Sequence, residues 1–149
     1  MAEIDQISQE YAKKLKKALE HLRYSHNKVR RLPTDSSKLD EEQMETWESF
    51  SARFARVVDL FLTKYLRAVV LRNDPGFEGS LRDFVNQAEK IGLIENAQSW
   101  MAIRELRNIT AHEYAEEELT GYFKQARKSA ADLLRIEKIL HKTETRRKR

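Results

Sequence analysis

W-E-S-F-S-A-R-F-A-R-V-V-D-L-F-L-T-K-Y-L-R-A-V, residues 47–69, is the stretch whose reading decides the fold. Trp47, Phe50, Phe54, Val57, Val58, Phe61, Leu62, Tyr65, Leu66 and Val69 recur at steps of one, three and four residues. That period predicts an amphipathic helix, and the wide apolar stripe predicts a central one that touches several neighbours, a second subunit being one candidate. Just upstream, Asp40 with Gln43 three residues on reads as an N-cap, and Glu41-Glu42 suits the positive end of a helix dipole. The expected helix runs from about 40 to 72.

Working outward, residues 3–31 predict a first helix. Ile4, Ile7, Tyr11, Leu15, Ala18, Leu22 and Val29 form its apolar stripe. Its other face is basic, with Lys13, Lys14, Lys16, Lys17, Arg23, Lys28, Arg30 and Arg31 against Glu10 and Glu20. Such a face suits either an RNA-facing surface or plain solubility. Leu32-Pro33 ends that helix, because proline disfavours helical backbone in the residue before it. Downstream, Asn73-Asp74-Pro75-Gly76 signals a turn. Ser80 and Asp83 resemble a capping box opening a short helix through Leu81, Phe84, Ala88 and Ile91, which Gly92 closes in the left-handed conformation. A fourth helix is expected from about Asn96, carrying Trp100, Ile103 and Leu106. A last one, about 116–141, is expected to bury Leu119, Phe123, Ala126, Ala130, Leu133, Ile136 and Leu140. The sum is an all-α fold: an antiparallel bundle of four to five helices forming one domain over 1–142, with a solvated basic tail at 143–149.

Composition narrows the function classes. Four glycines, two prolines and 35% charged residues fit a helical protein and argue against a turn-rich β fold. The chain has no cysteine, so it can form no disulfide, thiolate nucleophile or thiolate metal site, which suits a reducing cytoplasm. Met1 to Asp5 lack the apolar run of a secretion signal, and no stretch approaches the roughly 18 apolar residues of a membrane span. The net charge of +4 is a property of Arg146-Arg147-Lys148-Arg149; without them basic and acidic residues balance at 24 each. His21, His26, His112 and His141 show no metal-ligand spacing, and neither a P-loop nor a G-x-S-x-G elbow is present. No metal and no cofactor is expected. His21 and His26 read as exposed surface residues of the basic helix.

What remains is Arg107-Asn108-Ile109-Thr110-Ala111-His112-Glu113-Tyr114. It gathers a fixed cation, an imidazole that titrates near neutrality and a phenol, a set suited to phosphodiester chemistry. Asn108 and His112, four residues apart, share a helix face, so Asn108 can orient the imidazole. Arg107 lies about 140° around the helix from His112, beside Ile103 and Leu106. The two can reach one phosphate if the helix bends near Thr110, or if two copies share a site. The alternative is a helix end whose arginine and histidine cap carbonyls or pair with Glu105 and Glu113.

These residues resemble the HEPN (higher eukaryotes and prokaryotes nucleotide-binding) superfamily. The resemblance rests on the arginine, four intervening residues and histidine, and on the polar residue that follows the arginine. It spans about 40–140, including F-V-N-Q-A-E-K-I-G-L-I at 84–94 and Trp100, in the manner of the branch encoded beside a minimal nucleotidyltransferase. The long basic first helix and the basic tail are not part of that pattern. The resemblance implies a homodimeric, metal-independent endoribonuclease, the toxin of a toxin–antitoxin pair. Arg107 and His112 would be catalytic at the two-fold, with Asn108 supporting them. Tyr114 would be where the partner nucleotidyltransferase, the antitoxin, attaches AMP and silences cleavage of RNA. The alternative it implies is a non-catalytic nucleotide- or substrate-binding subunit of that transferase.

Overall fold

The computed structural model describes residues 2–111 and 116–147. All regular structure among them is helical: α1 (Ala2–Val29), α2 (Glu41–Asp59), α3 (Leu66–Asn73), α4 (Leu81–Lys90), α5 (Ala97–Ala111), α6 (Glu116–Leu134) and α7 (Ile136–Arg147), with a 3-10 turn at Ser36–Lys38. A π turn, Leu60–Tyr65, joins α2 to α3, so residues 41–73 form one rod. These rods number five among the described residues, within the four to five that the periodicity of the apolar residues predicts.

Local chemistry fixes the ends. The Asp40 carboxylate accepts the Gln43 N–H at 2.8 Å, while the Gln43 side-chain oxygen accepts the Asp40 N–H at 3.0 Å. Ser80 and Asp83 make the same reciprocal pair at the start of α4. Together these bonds satisfy donors that a helix N-terminus leaves orphaned. Gly92 follows α4 with φ +79°, and the Leu93 N–H donates to the Ala88 carbonyl at 2.9 Å. Only glycine enters that left-handed region without steric cost.

The π turn is absent from the sequence reading, which takes 40–72 as one α-helix. Its local companion is Thr63, whose hydroxyl donates to the Asp59 carbonyl at 2.6 Å and competes for the oxygen at the turn's start. The Leu66 N–H then reaches back to the Phe61 carbonyl, five residues away. The wider turn keeps Phe61, Leu62, Tyr65, Leu66, Val69 and Val70 buried, continuing the stripe of α2.

Packing radiates from this rod. Trp47 stacks on Phe123 of α6 with ring centroids 4.3 Å apart, and its indole N–H donates to the Pro33 carbonyl at 3.0 Å. Phe61 meets Trp100 of α5 at 4.7 Å. On α1, Ser25 meets Arg53 while Ser8 meets Arg72, so α1 runs antiparallel to the central rod. The α6–α7 rod is also antiparallel to α1, because Arg127 bonds the Val29 carbonyl and Arg147 reaches Asp5.

The last rod differs from its expectation in two ways. It is interrupted at Arg135, and it stays helical through Arg147, well into the segment expected to be a solvated tail. The reason is a polar knot between helices. The Tyr65 hydroxyl donates to Glu144 at 2.8 Å, Arg147 pairs with Glu144 and Asp5 at 3.2 Å each, and Arg72 lies 3.5 Å from Asp5 and 3.7 Å from Glu144. Burial, and then the neighbouring Glu144 carboxylate, push the Tyr65 phenol above its ordinary range, so it acts as a neutral donor. Among the described residues, no helix is long and apolar enough to cross a membrane.

Candidate functional site

The octapeptide begins on the last turn of α5. Ile103, one turn earlier, is buried against the core, and Arg107 stands four residues on, on the same face. It therefore points inward toward the central rod, where it meets Asp59, the residue that closes α2 at the mouth of the π turn. Nε and one terminal nitrogen of Arg107 each donate to a carboxylate oxygen of Asp59 at 2.8 Å. This is the fork-on-fork geometry in which a guanidinium is held in plane as well as in place. The Arg107 side chain is 22% exposed and that of Asp59 47%, so the pair sits at the surface with the arginine on its inner side. The Asp59 hydrogen bonds, outweighing partial burial, raise the guanidinium's pKa further and keep it cationic.

A phenol borders the pair. Tyr122 of α6 is buried, and its oxygen lies 2.9 Å from the Ser51 hydroxyl of α2. Three elements thus converge at this end of the bundle: α2 with Asp59 and Ser51, α5 with Arg107, and α6 with Tyr122. Asn108 is half-buried on the next position of α5, and Arg104 is likewise partly covered. His112 and Tyr114 lie outside the described residues, as does Glu113.

The acid that receives Arg107 is not the local Glu105, which is exposed, but Asp59, forty-eight residues away. Asp59, Tyr122 and Ser51 are absent from the sequence-derived site. A signal for Asp59 did exist: it is the only acid between Phe50 and Val70, set inside the apolar run V-V-D-L-F. A carboxylate there needs a partner.

The surface histidines need correction. His26 is half-buried, its ring 6.2 Å from that of Phe50, and burial pushes its pKa below the ordinary value. His21 is also partly buried, and its carbonyl accepts from Arg53 at 3.2 Å. The His26 ring sits where α1 faces α2, and neither histidine is fully exposed. Among the described residues, the cations on the basic face of α1 form two ion pairs, Arg23 with Glu137 at 2.8 Å and Lys17 with Glu20 at 3.6 Å, and Lys28 lies over the Tyr24 ring.

As to metals, no cluster of three or more histidine or acidic side chains suited to an ion occurs among the described residues. The Arg107–Asp59 pair offers one carboxylate already saturated by a guanidinium, a poor ligand for a cation. Its chemistry is that of an oriented cation beside a short segment rich in proton-transfer groups.

Compared with known proteins, residues 9–142 match the family described as "Nucleotidyltransferase substrate binding protein like". No curated protein and no solved structure matches the chain.

Proposed function

The chain belongs to the nucleotidyltransferase substrate-binding-protein-like family, and from that premise we propose that it is a HEPN-type ribonuclease controlled by a partner nucleotidyltransferase. The observation that carries this reading is Arg107, clamped by Asp59 at the end of α5, with Asn108, His112 and Tyr114 following it within seven residues of sequence. In this reading His112 takes the proton of an RNA 2′-hydroxyl. The freed oxygen attacks the adjacent phosphorus, the 5′-oxygen leaves and takes up a proton, and a 2′,3′-cyclic phosphate forms. Arg107 stabilises the charge that builds on the phosphoryl oxygens. The attacking group is internal to the RNA, so the step requires no metal-activated water.

Clamping by Asp59 supports the role of Arg107, because a cation oriented in advance need not be reorganised when charge develops. Two copies of the chain would bring the Arg107 of one near the His112 of the other, which meets the divergence of the two side chains on a straight helix. The Tyr114 phenol gives up its proton and attacks the α-phosphorus of ATP held by the partner transferase, taking AMP as pyrophosphate leaves. The adduct's phosphate beside Arg107 and His112 blocks RNA by occlusion and like charge. The pair thus works as a toxin and its antitoxin.

A second reading is favoured by one specific observation. Asp59 already neutralises Arg107, which suits a protein that presents a substrate to the transferase without cutting RNA. Co-expression with the transferase separates the two. Intact mass spectrometry showing AMP on Tyr114, with RNA cleavage by the unmodified chain alone, supports the ribonuclease. A complex in which the chain stays unmodified and cuts nothing supports the presenting subunit.

A further inference from the structure

A cleft of about 900 Å³ opens at the other end of α5 from Arg107, between α3, the α4–α5 connection and α7. Its floor is apolar, made by Val69, Ile91, Leu93, Trp100, Ile103 and Ile139. Its α7 wall is cationic. Lys138, Lys142 and Arg146 follow one another at four-residue steps, so they form a single row about 12 Å long on the helix face that lines the cleft.

The other cations around the cleft are already matched. Arg135 is bound to Asp132 at 2.7 Å, and Arg72 and Arg147 are committed to Asp5 and Glu144. Lys138, Lys142 and Arg146 form no ion pair with any described residue, and Glu95 is the one further acid among the lining residues. The cleft therefore carries an uncompensated row of positive charge over an apolar floor. Ile103, which lines it, is one turn before Arg107 on the same face of α5, so that wall of the cleft lies one helical turn from the Arg107–Asp59 pair.

We infer that this cleft is a binding site for the backbone of a single-stranded phosphodiester chain, with Lys138, Lys142 and Arg146 contacting successive phosphates and the apolar floor receiving bases. A row of single charges one helical turn apart matches a ligand whose charges repeat. It matches a compact triphosphate, with its charge concentrated at one point, less well. The inference deepens the ribonuclease reading by holding RNA one helical turn from Arg107, yet its test involves no cleavage.

The test is fluorescence anisotropy of a labelled single-stranded RNA carrying 2′-O-methyl at every position, which removes the internal nucleophile, titrated with the full chain. Replacing all three cations (K138Q, K142Q, R146Q) is expected to weaken binding at least tenfold and to lower the salt slope by about 2, since each neutralised phosphate of a single strand adds ~0.7 to that slope. The same charge change at exposed lysines that do not line the cleft (K38Q, K124Q, K128Q) is expected to leave affinity within about twofold. Equal losses from both triples overturn the proposal, because they report net charge alone. So does ATP binding the cleft more tightly than the strand, or polyglutamate displacing it at equal charge concentration, outcomes that assign the cleft to a nucleotide or an acidic protein. Melting curves of both triples, expected to superimpose on the parent's, guard against misfolding. Binding of the methylated strand without cleavage of ordinary RNA supports the cleft and counts against the ribonuclease.

Discussion

If Asp59 holds Arg107 for function, the two side chains must be energetically coupled, and a double-mutant cycle measures that coupling. The variants are Asp59→Asn, which keeps the parent's shape, Arg107→Gln, which removes the charge and shortens the side chain, and the pair together. Fully exposed ion pairs contribute about 0.2–1 kcal/mol, and breaking a buried pair costs about 3–5 kcal/mol. With Asp59 half exposed and Arg107 mostly covered, two 2.8 Å charge-assisted bonds place the coupling near the upper edge of the exposed range, about 1 kcal/mol. For a chain of this size that is about 2–4 °C in Tm for either single variant, readable by far-UV circular dichroism. In the cleavage assay Asp59→Asn should lower the rate about tenfold, equivalent to ~1.4 kcal/mol, because Arg107 loses its fixed orientation. A coupling energy within about 0.3 kcal/mol of zero refutes the claim that the clamp matters to the fold. A normal coupling with an unchanged cleavage rate refutes the claim that it matters to the chemistry.

Three further outcomes test the surrounding structure. Burial depresses the pKa of folded His26 below its ordinary value of 6.5, so the unfolded chain binds more protons in that window. Stability is then full above that ordinary value and falls as pH drops from it through the depressed one; urea titrations between about pH 7 and 5 should show the fall, and His26→Gln should flatten it. Gly92→Ala should cost about 1 kcal/mol, since nothing lies within 4 Å of the added Cβ and the penalty is the left-handed φ of +79° alone; a neutral result in chemical denaturation would show the turn relaxing. Tyr65→Phe should destabilise by about 1 kcal/mol through loss of its bond to Glu144, and amide exchange in α7 should quicken; unchanged exchange would mean that Arg147 and Arg72 alone hold the last helix.

The features legible in the sequence are those whose physics is local. The caps at Asp40 and Ser80, the stop at Gly92 and the apolar stripe of residues 47–69 each depend on side chains a few positions apart, and each stands where the spacing puts it. The Arg107–Asp59 pair depends on how α5 crosses α2, which no spacing along α5 contains. The π turn also escapes, because a threonine four residues after an aspartate is ordinary in a helix, and only packing on both sides makes a wider turn worthwhile. Residues 143–147 look like a basic tail for a similar reason: their acidic partners, Glu144 apart, include Asp5 at the far end of the chain. His26 looks exposed because its neighbours in sequence are basic, while its neighbour in space is Phe50.

The central claim is that Arg107 and His112 cut RNA without a metal. The most direct measurement is cleavage of single-stranded RNA by the purified chain in EDTA, beside His112→Ala and Arg107→Gln prepared in parallel. The account predicts cleavage by the parent, with 2′,3′-cyclic phosphate ends, and a loss of at least about a hundredfold in either variant, the scale expected for general acid–base and electrostatic groups. Equal cleavage by all three proteins, or none by the unmodified parent, would contradict it.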